Sequence, residues 1–219
     1  ASSPTTMRAA VLRKPGEPFV IENLNVPRPH YDEVLLKVTA CGLCHSDLHA
    51  QVGVITFPVP AVFGHEVGCV IVEPGESLGR FGLEMDSPSR VGSSCPAGGC
   101  DACCRGRDDL FGPFIKMNRL NGTLHDGRTR LFSSLTAASG NVLSGSLDAI
   151  LCDAGDGWAP LSDNRDPVNS AILGCDVMTA YGAAHHGADL RYGEFVVVVG
   201  TGERVRTPSF ARAMSADLV

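Results

Sequence analysis

The stretch Cys41-Gly-Leu-Cys-His-Ser-Asp-Leu-His49 packs two cysteines, two histidines, a serine and an aspartate into nine residues. It fits three chemistries that exclude one another. C-x-x-C-H is the spacing of covalent haem attachment, C-x-x-C alone can be a redox dithiol, and a Cys joined by a distant His and Cys can make an open zinc site. Each needs different partners elsewhere in the chain, so the flanking sequence decides among them.

The 219 residues are 44% hydrophobic and carry a formal net charge of −6. That apolar content is ample for a globular core. The charge is spread without long basic runs, which offers nothing to a polyanion and argues against nucleic acid as a partner. No apolar run approaches the roughly 20 residues that cross a bilayer, and the opening "ASSPTTMRAAVLRKPGEP" has no apolar centre of the sort a secretory signal requires. The expectation is a cytoplasmic protein without membrane contact. Nine cysteines, an odd count, point to thiols or thiolate ligands rather than a full disulfide framework. The haem reading weakens with it, because thioether attachment usually accompanies export and His45 would need a second axial ligand that no motif supplies.

Short apolar runs broken by Pro and Gly fill the first part of the chain: "AAVLRKPGEPFVIENLNVPRP", "DEVLLKVTACG" and "GHEVGCVIVEPGE". Such spacing predicts antiparallel β-structure, with Val34 to Ala40 and Val67 to Glu73 as the clearest strands. From Gly82 to Asn169 scattered Gly, Ser, Asp and Asn predict long loops with short strands. After Pro167 the texture changes. "NSAILGCDVMTAYGAAHHGADL" has near-helical spacing and "YGEFVVVVGTG" is an apolar run ending in glycines, which predicts a helix, then a buried strand and a tight turn.

Cys44 in "CGLCHSD", His65 in "FGHEVGCVIVE" and Cys175 in "LGCDVMTAYGA" follow one another in a telling order. Together they resemble the zinc-dependent alcohol dehydrogenases of the medium-chain dehydrogenase/reductase family, from Met7 to Gly202 with one diverged stretch. The resemblance implies a mainly β fold with some α: a GroES-like β-rich catalytic domain over residues 1–170, then over 171–219 the first strand of an incomplete Rossmann-type α/β domain for a nicotinamide cofactor. It implies Cys44, His65 and Cys175 as ligands of a catalytic zinc whose fourth position serves water or the substrate oxygen. Asp47 and Glu66, each beside a ligand in sequence, suit carboxylates that orient an imidazole or tune the metal, and in the family the position of Glu66 can itself approach the zinc. Ser46 and His49 match a proton relay from the alcohol to the surface, for which an imidazole that titrates near neutrality is suited. His45 matches a contact to the cofactor pyrophosphate, and Thr179 a position lining the nicotinamide pocket. Cofactors implied are zinc with NAD or NADP, the substrate is a small alcohol or aldehyde, and a homodimer is the implied assembly.

Two stretches depart from the family. Its second, structural zinc is held by four cysteines in a lobe; "PAGGCDACCRGRDDLF" retains Cys100 and Cys103 as the second and third of them, with Ala97 and Phe111 in place of the first and fourth. Two thiolates do not close a tetrahedral site; Cys95 and Cys104 are near enough in sequence to substitute, each by a different loop path. In "VVVVGTGERV", Gly200 and Gly202 match the first two glycines of the dinucleotide fingerprint, but Val205 replaces the third, where a branched side chain works against close helix packing. The acidic residue that grips the ribose should follow roughly 20 residues on, and the sequence stops at Val219. Two functions therefore stay open: an oxidoreductase moving hydride between an alcohol/aldehyde pair and NAD(P), and a catalytically inactive zinc-binding or interaction module of the same descent. For these 219 residues the expectation is zinc binding without binding of NAD or NADP.

Overall fold

In the computed structural model, the described residues are 5–76, 85–86, 88–91, 101–107, 110, 112, 114–124, 126–132, 150–153, 158–162, 164–191 and 193–197. Among these, strands dominate and helices are short. Strands β1 (Thr6–Leu12), β2 (Val20–Asn25) and β4 (Ala61–Val62) form one sheet in the order β2-β1-β4. Strands β3 (Glu33–Gly42), β5 (Glu66–Pro74), β6 (Pro88–Val91), β7 (Ile150–Asp153) and β8 (Trp158–Pro160) form a second, in the order β7-β3-β5-β6-β8. All their pairings are antiparallel. The two strands clearest in the sequence are thus the centre of the larger sheet, and the weakly patterned region after Gly82 supplies its short outer strands.

The alternation explains the layering. Val34, Leu36 and Val38 on β3 meet Val67, Cys69 and Ile71 on β5 in one fully buried cluster. On the opposite face Leu35 joins Met7, Ala9 and Val11 of β1, with Leu24, Val62 and Leu131. Strand β3 is therefore buried on both faces, which is why "EVLLKV" reads as a continuous apolar run rather than a strict alternation. A third cluster of Leu12, Ala50, Ala61 and Phe63 seats helix α1 (His45–Gln51), with Phe19 and Phe57 edge-on to Phe63. Truncating one of these fully buried leucines to alanine costs about 2–5 kcal/mol.

One buried ion pair ties the far end of β3 to a distant loop. Arg130 Nη2 donates to Glu33 Oε1 at 2.6 Å and to Asp126 Oδ2 at 2.7 Å. Glu33 also accepts from the His30 backbone N–H at 2.9 Å, so its second oxygen is satisfied.

The stretch after Pro167 is helical in pieces. Asp166 caps α3 (Pro167–Ser170), accepting from the Val168 N–H at 3.0 Å, and Pro167 takes the first-turn position where no N–H is needed. A 3₁₀ turn, Ala171–Gly174, leads through Cys175 into α4 (Asp176–Gly182) and a final wide turn, Ala183–Gly187. Of the strand predicted after it, 193–197 lie outside both sheets, with Phe195 93% and Val197 87% exposed, and 198–202 lie outside the described residues. No helix among the described residues is long and apolar enough to cross a membrane.

Candidate metal centre

Three chain segments converge at one end of the β3/β5 pair. Gly42, the last residue of β3, pairs with Glu66, the first of β5. Cys44 stands two residues beyond one strand and His65 one residue before the other, so the pairing itself brings them together. Thr39 is the extra residue of a bulge between the Val38–Cys69 and Ala40–Gly68 pairs, and such a bulge re-aims the strand end that follows. Its hydroxyl fixes the bend by donating to the Gly68 carbonyl at 2.8 Å.

Helix α1 begins at this point. Cys44 is its N-cap, and Asp47, in the first turn, accepts from the Cys44 N–H at 3.0 Å. A carboxylate there also complements the positive end of the helix. The helix ends at Gln51, and just past its Val52 cap Gly53 has a φ of +80°, a left-handed conformation suited to glycine.

Cys175 arrives from the other direction, and Gly68 lets it. A Cβ on Gly68 would stand 1.8 Å from the Pro167 carbonyl oxygen and 3.5 Å from the Ala171 Cβ. Only a bare Cα admits α3 so close to β5, and α3 carries the turn that ends at Cys175. As a result one ligand atom from each of Cys44, His65 and Cys175 lies within 4.8 Å of the others, the one such group of three among the described residues.

Charge organises the cluster. His65 and Asp47 are both buried, 6% exposed each, and His65 Nδ1 lies 3.3 Å from Asp47 Oδ1. Burial alone would depress the imidazolium, but hydrogen bonds to Asp47 and Cys175 outweigh it and raise the His65 pKa to about 11. The Cys175 thiol is correspondingly lowered, chiefly by its hydrogen bond with His65 and against the cost of burial. Thr179 Oγ1 lies 3.7 Å from Cys175 Sγ and stabilises the thiolate further. These hydrogen bonds thus favour a thiolate on Cys175 paired with an imidazolium on His65, backed by a carboxylate.

These donors fit zinc. Bonds of about 2.3 Å to sulfur and 2.0–2.1 Å to nitrogen at tetrahedral angles place such donors about 3.5–3.8 Å apart, which small side-chain shifts reach from the observed triangle. With Nδ1 held by Asp47, Nε2 is the ring nitrogen left for coordination, the usual carboxylate–histidine–metal arrangement. Glu66, 1% exposed, packs over Gly42, where a Cβ would meet its Oε2 at 2.1 Å. Cys41 does not serve as a dithiol partner. Burial, with the charge of Asp47, pushes its thiol up to about 11, whereas redox dithiols need an accessible thiolate near neutral pH; Cys41 and Cys44 are both free.

The remaining predicted residues divide. Ser46 and His49 are half-buried on α1 and His45 is exposed, with the His45 and His49 ring centroids 4.5 Å apart. Cys103 lies half-buried in the short helix α2 (Asp101–Cys104). Cys100, Gly200 and Gly202 lie outside the described residues. The sequence reading missed Gly68, although an isolated glycine in a strand pattern signals close backbone approach. It also missed the Glu33–Arg130 pair, whose members are 97 positions apart with no local signature.

Comparison with known proteins agrees with this construction. The family model described as the alcohol dehydrogenase GroES-like domain matches residues 30–140. An NDMA-dependent alcohol dehydrogenase of Amycolatopsis methanolica is 33% identical over 204 residues, covering 89% of this chain and 52% of the relative. An alcohol dehydrogenase zinc-binding domain protein from Burkholderia ambifaria superposes with a TM-score of 0.85 at 27% identity, covering 97% of this chain and 57% of that one. Acetophenone reductase from Geotrichum candidum, solved in complex with NAD, shares the fold at 22% identity and a TM-score of 0.76, over 99% of this chain and 57% of the other. The chain spans about half the length of the relatives it matches. By its domain match over half its length, this chain belongs to the zinc-dependent alcohol dehydrogenases of the medium-chain dehydrogenase/reductase family.

Proposed function

We propose that this chain supplies the zinc-holding catalytic part of an oxidoreductase that transfers a hydride between an alcohol or aldehyde and NAD or NADP. The observation that carries the reading is the convergence of Cys44, His65 and Cys175 within 4.8 Å. Two thiolates and one neutral imidazole would balance the charge of a zinc ion they held and would leave room for a fourth ligand. Zinc bound there supplies a Lewis acid that lowers the pKa of a substrate hydroxyl.

The chain's own groups do the rest. Asp47 fixes the His65 tautomer, so the imidazole presents one nitrogen to the metal and stays neutral once the metal has displaced its proton. Ser46 accepts the proton that leaves the alcohol, and His49 passes it to water. His45 would hold the cofactor pyrophosphate, and Thr179, one turn beyond Cys175, would line the nicotinamide pocket. Glu66 tunes the ligand sphere from its place against Gly42. In this reading residues 1–170 are the GroES-like catalytic domain and 171–219 begin the domain for the nicotinamide cofactor, with Gly200 and Gly202 at its first turn. Zinc at Cys100 and Cys103 lacks two of the four ligands a closed site needs. The proposed substrate is a small alcohol or aldehyde, and a homodimer is the proposed assembly.

One observation favours a second reading, an inactive zinc-holding module. Phe195 and Val197 stand exposed where the first strand of a cofactor sheet is expected. Deuterium transfer separates the two. Zinc-loaded protein incubated with a carbon-deuterated alcohol and NAD or NADP should give deuterated nicotinamide, and Cys44→Ser should abolish the transfer. Full zinc occupancy with no transfer across a panel of primary, secondary and benzylic alcohols would leave the module reading in its place.

A further inference from the structure

Helix α1 carries a second pair of metal donors that the first site does not use. His45 and His49 lie four positions apart on it, which puts their side chains on one face of the helix. Their ring centroids are 4.5 Å apart with planes at 80°. A metal–nitrogen bond of about 2.0–2.1 Å sets a metal about 3.2 Å from an imidazole centre, so two imidazoles at about 90° around one ion have centres about 4.5 Å apart. The rings meet edge to face at that same centroid separation, and turning each about its Cβ–Cγ bond, which leaves the centroids in place, aims one nitrogen of each at a shared ion. His45 is exposed and His49 half-buried, so the pair opens to solvent while one ring is anchored.

We propose that His45 and His49 form a second, surface metal site that takes a borderline divalent transition ion such as Ni(II) or Cu(II) through both imidazoles, water completing its coordination. Square or octahedral geometry, with donors at right angles, suits those ions better than the tetrahedral arrangement of zinc. The other close histidine pair, His185 and His186, is unsuited despite a centroid separation of 4.9 Å. Adjacent residues on a helix point about 100° apart, and Tyr181 is stacked on His185 at 5.2 Å. The site stands independently of the proposed activity. Only its consequence rests on that reading: an ion held there removes His49 from proton release and His45 from the pyrophosphate, so it inhibits.

The test is calorimetric titration of the zinc-loaded protein with Ni(II), paired with absorbance in the thiolate charge-transfer region. The expected result is one saturable Ni(II) equivalent without thiolate charge transfer, weakened about tenfold or more in both His45→Ala and His49→Ala and unchanged in His186→Ala. Circular dichroism of the variants separates lost chelation from lost folding, and His49→Cys, which restores a soft donor at the same position, should regain binding with a thiolate band. Equal affinity in the wild type and both alanine variants, loss only in His186→Ala, or binding accompanied by thiolate charge transfer in the wild type would each overturn the proposal. Deuterium transfer has no part in this readout, so failure of the activity and failure of the site remain distinct.

Discussion

His65 Nδ1 faces Asp47 Oδ1 across 3.3 Å in a pocket where both side chains are buried. The same carboxylate holds the first turn of α1 through the Cys44 N–H. One side chain therefore orients the imidazole ligand and places the first cysteine. In Asp47→Asn the amide oxygen can still accept from Cys44, so the helix persists while the charge on His65 is lost. Zinc affinity, measured by competition against a chromophoric chelator, should fall about 10–100-fold. An unchanged affinity would mean that the carboxylate has no part in the site.

Gly68 gives a sharper geometric test, because it is not itself a ligand. Its Cα faces the Pro167 carbonyl so closely that a methyl group would overlap it. Gly68→Ala should displace α3 and Cys175 with it, lowering zinc affinity by about tenfold or more and weakening one of two thiolate–cobalt charge-transfer contributions in the Co(II)-loaded protein. Loss of stability alone, with the full two-thiolate spectrum at saturation, would contradict a positioning role.

The pH dependence follows from the proton on His65. Hydrogen bonding to Asp47 and Cys175 raises its pKa to about 11 in the metal-free protein, against the effect of burial. A raised histidine contributes stability fully present below its unfolded pKa of about 6.5 and lost as pH rises through the folded value. Zinc must displace that proton, so affinity should climb with pH across the neutral range, about tenfold per pH unit for each proton released. Titrations in buffers of different ionisation enthalpy count the protons. A pH-independent affinity would contradict the thiolate–imidazolium pair.

The Arg130 cluster predicts a separate acid sensitivity. Partial burial opposes ionisation of Asp126, yet hydrogen bonds from Arg130 and the Arg128 N–H hold its carboxyl below the usual range. A depressed carboxylate stabilises the fold above its unfolded pKa and loses that contribution as pH falls through the folded value. The stability gap between wild type and Asp126→Asn should therefore be about 1 kcal/mol or less near neutrality, given the exposure of Asp126, should begin to shrink as pH falls through the unfolded carboxylate value of about 4, and should vanish only below the lower folded value. Arg130→Ala should cost about 3–5 kcal/mol, because it strands the buried Glu33 charge. Chemical denaturation at both pH values checks both figures.

What the sequence disclosed depended on the range over which its signals act. Strands β3 and β5 were legible because their apolar runs report local burial, and Cys44, His65 and Cys175 because motif spacing marks them individually. Their meeting was not local. It rests on the Gly42–Glu66 register and on the Gly68 contact with Pro167, both set by tertiary packing. Glu33 and Arg130 look like ordinary surface charges until the loop folds over β3. Of the strand expected around Phe195, the described part, 193–197, pairs with neither sheet, and an apolar run specifies a buried strand only through the neighbours that pair with it.

The central claim is that Cys44, His65 and Cys175 hold one zinc through two thiolates. Elemental analysis combined with the absorbance of the Co(II)-substituted protein tests it most directly, in the wild type and in Cys44→Ser and Cys175→Ser. The account predicts about one tightly bound zinc per chain and a two-thiolate charge-transfer band; each substitution should roughly halve the band and abolish tight binding, since a serine hydroxyl stays protonated and makes a poor ligand. Stoichiometric zinc retained in both variants, or a wild-type cobalt spectrum without thiolate charge transfer, would contradict it.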